Sequence, residues 1–279
     1  MNLARTHSPP LLMGIVNVTP DSFSDGGLFL SVASAYDHSM RLLDEGADII
    51  DIGGESTRPP GRSYGAGAVA VAEQEELDRV IPVIERLARA RPDAAISIDT
   101  MKASVARAAV AAGARIINDV SAGRFDRAMF DVAREHEAPY ILMHGHDPTE
   151  RRRLEEIVYT DPVTEVHAFL EERIAEARGA GVRTILADVG IGFSKGAREN
   201  IVLLREHRRF ESLGVPLLVG PSRKAFIGAL LGGAAPEERV YGTIAACAVA
   251  AANGASILRV HDVRAVREFF TVHSALGGG

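Results

Sequence analysis

The chain repeats one alternation. Short runs of aliphatic, often β-branched residues recur at Leu11–Val18, Ala47–Gly53, Ala94–Asp99, Arg115–Val120, Pro139–Met143, Arg183–Asp188, Pro216–Gly220 and Ser256–Val260. Runs of this length and composition suit strands buried on both faces. Between them lie segments whose apolar residues return every three or four positions, as on an amphipathic helix. These are Val32–Glu45, Gln74–Ala90, Ala103–Ala112, Asp126–Glu137, Pro162–Arg178, Ala197–Leu213, Glu237–Ala252 and Val263–His273. In the second, Leu77, Val80, Ile81, Ile84, Leu87 and Ala88 share one face. Gly46, Gly113, Gly181, Gly214 and Gly254 each stand between a helix and the next strand, where a C′ glycine ends a helix. Strand and helix alternating eight times predict a parallel sheet closed into a (β/α)8 TIM barrel. A doubly wound open sheet is the alternative, and the count of eight favours the barrel.

No composition shift divides the chain. A single domain is therefore expected over residues 1–279, with its core at 11–276. Residues 19–30 and 55–72, rich in Gly, Pro, Ser and Ala, read as mobile loops over the barrel mouth.

In such barrels functional residues gather where strands end. Here the ends carry Asn17, then Glu55 to Arg58, Asp99-Thr100, Asn118-Asp119, His144, Asp188, Ser222-Arg223-Lys224 and Arg259 to Asp262. Helix N-caps account readily for Asp119, Thr100 and Asp262. Asn17 is equally readable as a group that only ties down its loop. Capping explains Arg58, Lys224, Arg259 and His261 poorly, because a cation at a helix N-terminus is unfavourable without an anion beside it. Together with Arg223 and the helix N-termini, those four suit a phosphate. Asp99, Asn118 and Asp188 could read the N–H and NH₂ edge of a flat heterocycle. Asn17 and the Asp-bearing first loop could hold Mg²⁺, which takes oxygen ligands and keeps several waters.

Composition narrows the classes. The chain has 279 residues and a net charge of −6, with 31 basic and 37 acidic residues interspersed. No basic face points to nucleic acid. The one cysteine, Cys247, sits in an Ala-rich run, so it reads as a small core residue; a cysteine-based metal site is excluded and a reducing cytoplasm is expected. No signal peptide is evident, and the longest apolar stretch, Ile244–Ala252, is too short to span a bilayer.

The motifs themselves resemble a known family. Met13–Gly27, with Asn-Val-Thr-Pro-Asp-Ser-Phe-Ser-Asp-Gly-Gly, is similar to the first signature of the bacterial dihydropteroate synthases, and Gly46–Pro59 to the second. Ser97-Ile-Asp-Thr, Ile117-Asn-Asp-Val, Leu142-Met-His, Gly190-Ile-Gly-Phe, Ser222-Arg-Lys and Arg259-Val-His-Asp follow in the family's order. The resemblance implies condensation of 6-hydroxymethyl-7,8-dihydropterin diphosphate with p-aminobenzoate, giving 7,8-dihydropteroate and pyrophosphate in folate synthesis. It implies pterin binding by Asp99, Asn118, Asp188, Lys224, Met143, Phe193 and Arg259. The diphosphate would meet Asn17, Thr57, Arg58, Arg259 and His261, with Mg²⁺ on Asn17. The p-aminobenzoate would lie against Thr57, Pro59, Phe193, Lys224 and Ala225. Asp25, Lys224, Arg259 and His261 would carry the chemistry, and Asp25 and Phe23 would close over the site. A homodimer through the C-terminal helices and inhibition by sulfonamides, which mimic p-aminobenzoate, are further implications.

Three departures stand out. Val189 replaces the family's usual Pro between Asp188 and Gly190; Ala225 stands where a Ser is common; Pro60 displaces a Gly in a longer loop after Arg58. The altered loop borders the expected p-aminobenzoate pocket and bears on sulfonamide sensitivity. Two other readings compete: a pterin-binding methyltransferase module with a corrinoid partner, and a non-catalytic pterin-binding homologue.

Overall fold

A computed structural model describes residues 3, 9–18, 32–55, 71–145 and 157–277. Eight parallel strands close into a barrel in chain order. They are β1 (Leu11–Asn17), β2 (Ile49–Gly53), β3 (Ala95–Asp99), β4 (Ile116–Asp119), β5 (Tyr140–Met143), β6 (Ile185–Asp188), β7 (Leu217–Val219) and β8 (Ala255–Val260), and β8 pairs with β1. Around them run α1 (Val32–Asp44), α2 (Glu73–Ala90), α3 (Ala103–Ala112), α4 (Ala128–Glu135), α5 (Pro162–Gly179), α6 (Ala197–Arg205), α7 (Ala225–Leu230), α8 (Val240–Ala252) and α9 (Val263–Ala275). The expected TIM barrel is the observed fold, and all five helix-ending glycines sit at positive φ.

The period of two divides each strand between two cores. Outward residues such as Leu12, Ile50, Ile98 and Leu142 pack with the helices in one large cluster. Inward residues Met13, Ile49, Ile116, Ile141, Leu186, Leu218 and Ile257 pack with Leu3 in a second, smaller one that fills the lower barrel. Two residues further along, the same inward face becomes polar. Ile49 is followed by Asp51, Ile116 by Asn118, Leu186 by Asp188 and Ile257 by Arg259. Strand register aligns these polar positions: Gly53 pairs with Asp99, Asp99 with Asn118, and Met143 with Asp188. The barrel is thus plugged with hydrocarbon below and lined with polar groups above.

Three helical segments differ from their sequence pattern. The single helix expected over Ala197–Leu213 breaks at Arg205 and continues as a 3₁₀ turn, His207–Leu213. The 3₁₀ period of three puts His207, Phe210 and Leu213 on one buried face, which a continued α-helix would spread apart. The helix expected from Glu237 starts at Val240, after a 3₁₀ turn over Pro236–Arg239. The short α7 has six residues, too few to display a helical period in sequence. No helix among the described residues is long and apolar enough to cross a membrane.

Candidate active site

The polar layer centres on one cation shared between two acids. Arg259, inward on β8, donates from Nε to Asp51 Oδ2 at 2.6 Å and from Nη2 to Asp99 Oδ2 at 2.8 Å. Asn118 donates from Nδ2 to the same Asp51 oxygen at 3.1 Å. Asp51 is fully buried, and Asp99 and Asn118 nearly so. Gly53 and Gly220, which flank this layer, carry no side chains, and a Cβ at Gly53 would lie 3.4 Å from that of Asp99. Space across the layer is kept open where Arg259 crosses it.

The charge balance leaves unused acceptors. Asp51 Oδ1 and Asp99 Oδ1 are buried and accept no hydrogen bond among the described residues. Burial, opposed by Arg259 and reinforced by the neighbouring carboxylates Asp51, Glu76 and Asp119, pushes the Asp99 carboxyl up to about 7. Asp188 is also raised by burial, against the backbone N–H of Gly190, which donates to its Oδ1 at 2.7 Å, and against nearby Lys224, Lys195 and Arg259. Raised carboxyls with buried lone pairs are a costly arrangement for a purely structural site.

A second group stands on the loop after β6. Lys224, the residue before α7, sets its ammonium 4.1 Å from the centre of the Phe193 ring, a cation–π contact. Gly192 takes φ +79°, and a Cβ there would fall 2.6 Å from Lys224 Cδ. Gly190 takes φ +70°, and a Cβ there would fall 1.9 Å from the carbonyl oxygen of His144. Only glycine fits this close crossing of two backbones. Asn200, on α6, braces the loop: its Oδ1 accepts from Gly192 N, and its Nδ2 donates to the carbonyls of Lys195 and Gly196.

Several sequence expectations are now placed. Asp99, Asn118, Met143, Asp188, Arg259 and His261 stand at or just beyond the upper ends of their strands, and Ala225 opens α7. Asn17 ends β1, in register with Gly53. His261 Nδ1 lies 3.0 Å from Ser222 Oγ. Asp25, Phe23, Thr57, Arg58, Pro59 and Pro60 lie outside the described residues, as do most of the two expected loops.

Arg223 departs from the expected anion cluster. Its guanidinium grips Asp262 through two bonds, of 3.0 and 2.6 Å, and its φ is +56°. Asp262 accordingly spends its carboxylate on Arg223 and makes no side-chain cap bond to α9. A bidentate Arg–carboxylate pair outweighs a single cap bond. Asp119 follows its expected role in part: it accepts from the N–H groups of Ser121 and Gly123 and from the Tyr140 hydroxyl, bracing a loop rather than starting a helix. Thr100 accepts from Lys102 N at 3.2 Å in a local turn. Cys247 is buried and unpaired, its thiol pushed far up by burial.

The comparisons with known proteins agree with this layout. A model of the pterin binding enzymes matches residues 13–261. Dihydropteroate synthase of Synechocystis is 47% identical over 268 residues, covering 95% of this chain and 89% of that protein. The chain belongs to the dihydropteroate synthase family. As a member it is a transferase that condenses a pterin diphosphate with p-aminobenzoate in folate synthesis, which sets aside the methyltransferase and non-catalytic readings. Among solved structures, Xanthomonas albilineans dihydropteroate synthase with 4-aminobenzoic acid matches at TM-score 0.87 and 49% identity, covering 97% of this chain and 94% of that one. Yersinia pestis dihydropteroate synthase in a sulfonamide drug complex matches at TM-score 0.89 and 40% identity, covering 100% and 97%.

Two residues of this enzyme's site escaped the sequence reading. Asp51 was passed over because it stands inside an apolar run rather than at its end. Its signal was period two: Ile49, Asp51 and Gly53 share the inward face. Lys195 lies two residues before α6 begins, in a loop where a lysine reads as solvent-exposed, yet it is buried.

Proposed function

We propose that the upper barrel layer binds the pterin diphosphate and promotes its ionisation, after which p-aminobenzoate attacks. The observation that carries this reading is the buried Asp99 carboxylate, held to Arg259 through one oxygen while the other meets no donor among the described residues. A pterin presents a row of ring N–H and NH₂ donors, which such acceptors require. Asp99, Asn118 and Asp188 grip that edge. Lys224 and Arg259 lie near the ring, Phe193 and Met143 supply apolar contact, and Arg259 with His261, Asn17, Thr57 and Arg58 receives the diphosphate.

Asn17 offers one amide oxygen, and no cluster of three or more His, Cys, Asp or Glu among the described residues could hold a metal ion. That donor set fits Mg²⁺, which takes the rest of its shell from substrate phosphates and water. When bound, Mg²⁺ neutralises charge on the leaving diphosphate. Arg259 and Arg58 would add positive charge of the chain's own, and His261 a ring nitrogen for hydrogen bonding. The bond from the exocyclic methylene to the diphosphate oxygen breaks, and both electrons leave with pyrophosphate. The electron-rich pterin shares the positive charge, and Asp25, by the family motif, would help to stabilise it. The amine lone pair of p-aminobenzoate then closes the C–N bond and the nitrogen sheds a proton. Its ring lies against Phe193, Pro59, Thr57 and Lys224, and its carboxylate meets the backbone N–H groups at Ala225, where no hydroxyl is present. Sulfonamides would occupy the same place. Electrostatic stabilisation of the leaving group is the main contribution, and no separate base is needed.

The chain forms one cytoplasmic domain that pairs with a second copy through α8 and α9. Between these helices runs a groove of about 620 Å³, lined by Val240, Tyr241, Ile244, Phe269 and Val272, and Tyr241 is 86% exposed.

Pyrophosphate release from the two substrates tests the reaction directly. Turnover that needs both substrates and falls on adding a sulfonamide supports the reading; binding of the pterin diphosphate without release defeats it. Calorimetry tests the order: p-aminobenzoate is expected to bind only after pyrophosphate or the pterin diphosphate.

A further inference from the structure

Lys195 is a buried lysine, 2% exposed, and among the described residues no carboxylate lies at hydrogen-bond distance from its ammonium. Its three donors go instead to three backbone carbonyls: His144 at 3.1 Å, Gly190 at 2.9 Å and Phe193 at 2.9 Å. An ammonium carries three donors and no acceptor, so this set satisfies it completely. The three carbonyls belong to two strand ends. His144 follows β5, whereas Gly190 and Phe193 lie on the loop after β6.

Each tethered peptide leads to a proposed pterin-binding group. The N–H of Gly190 donates to Asp188 Oδ1, so anchoring the Gly190 carbonyl restrains the residue whose N–H orients that carboxylate. The Phe193 carbonyl is held on the residue whose ring faces the Lys224 ammonium. The His144 carbonyl joins β5, which ends at Met143, to the same clamp. Burying an uncompensated ammonium is unfavourable, and burial lowers Lys195 to about 7 against the attraction of Asp188. A loop that needed only to be closed could use an apolar side chain at no such cost.

The geometry points to Lys195 as a positioning residue: its ammonium locks the β5 and β6 ends together so that Asp188, Phe193 and Lys224 are presented to the pterin in one arrangement. This rests on the assignment of those three to the pterin site. Lys195 itself touches none of the reacting atoms.

The test is a graded series in the full-length enzyme. Lys195→Met removes all three bonds with little change of volume; Lys195→Gln keeps an amide that can reach part of the carbonyl set. For Lys195→Met, kcat/KM for the pterin diphosphate is expected to fall about 100-fold well below the melting transition, the size of effect that a small misplacement of catalytic groups produces. Lys195→Gln should lie between it and the wild type. If Lys195→Met does not fold, Lys195→Gln alone carries the measurement, and a fall of at least fivefold is required. Wild-type kinetics in a folded variant, with only a lowered Tm, would overturn the inference, because a merely structural lysine moves stability and leaves KM and kcat alone. Asp188→Ala, measured alongside, separates the two ideas. If Asp188→Ala keeps pterin affinity, the site assignment fails; if it loses affinity and the Lys195 variants do not, only the positioning role fails.

Discussion

The lower and upper halves of this barrel are built on the same eight strands and the same inward face, yet they hold opposite chemistry. Below, Met13, Ile49, Ile116, Ile141, Leu186, Leu218 and Ile257 close on one another. Above, Asp51, Asn118, Asp188 and Arg259 stand two residues beyond four of those positions, and Asp99 joins Arg259 from β3. Hydrocarbon packs without direction and needs no partner. A buried carboxylate needs donors, and Asp99 lacks one for half of its acceptor surface among the described residues. The lower half therefore stabilises the barrel, and the upper half carries the groups proposed to find their partners on the substrate.

The largest effect should come from the groups proposed to read the pterin directly. Asp188→Ala and Lys224→Ala are each expected to lower kcat/KM by about 10³-fold or more, as when a preorganised electrostatic partner is removed, with the circular dichroism unchanged. Near-normal turnover in either would erase the distinction between the halves. Asp51→Asn comes next, at about 10²-fold, because it loosens Arg259 and Asn118 together without touching the ligand edge.

Titration sharpens the same contrast. An acid whose folded pKa is raised binds its proton more tightly when folded, so Asp99 contributes stability below pH 4 that is lost as pH rises toward about 7. Pterin affinity runs the other way if the ionised form accepts the ring N–H groups: it should fall about tenfold per pH unit below about 7. Because the charge on Asp51 is one cause of the rise, Asp51→Asn should move that midpoint to lower pH. A midpoint that moves up, or affinity flat from pH 5 to 8, would contradict the assignment of Asp99 as acceptor.

Much of this division was legible in the sequence. The strand ends were found because a polar residue closing an apolar run is conspicuous, and Asp99, Asn118, Asp188 and Arg259 came from that signal together with the family motifs. Asp51 was not, because a single charge inside an apolar run looks like an interruption until the register shows which face it takes. Lys195 was missed for a different reason. Its partners are backbone carbonyls, which every residue has, so no side-chain pattern announces them. Arg223 was misjudged because Asp262 lies 39 positions away and only the closed barrel brings the two together. The break in the helix after Arg205 was missed because a seven-residue segment holds only about two turns, too few repeats to establish a period in sequence.

A probe of the lower half inverts the pattern. Leu218→Ala should cost about 2–5 kcal/mol of stability, since Leu218 is fully buried and leaves a cavity. Its kcat/KM, measured below the transition, should stay within about threefold of wild type. A large kinetic loss with little melting would show that the two halves are not separable.

The smallest effect belongs to a pair that stands among the strand-end motifs and is not part of the polar layer. Arg223 and Asp262 sit among the mouth motifs, and the guanidinium grips the carboxylate through two bonds. With side chains 14% and 16% exposed, the pair is worth about 1–2 kcal/mol, between an open surface bridge and a charged hydrogen bond in the interior. Asp262→Asn should therefore lower Tm by a few degrees and change kcat/KM by less than about threefold. Asn keeps one acceptor for the guanidinium, so Arg223 holds its left-handed turn and Lys224 keeps its place before α7. If Asp262→Asn instead cost as much activity as Asp51→Asn, Arg223 would have to be moved into the diphosphate site after all, and the boundary between the site and its frame would lie one residue pair further out.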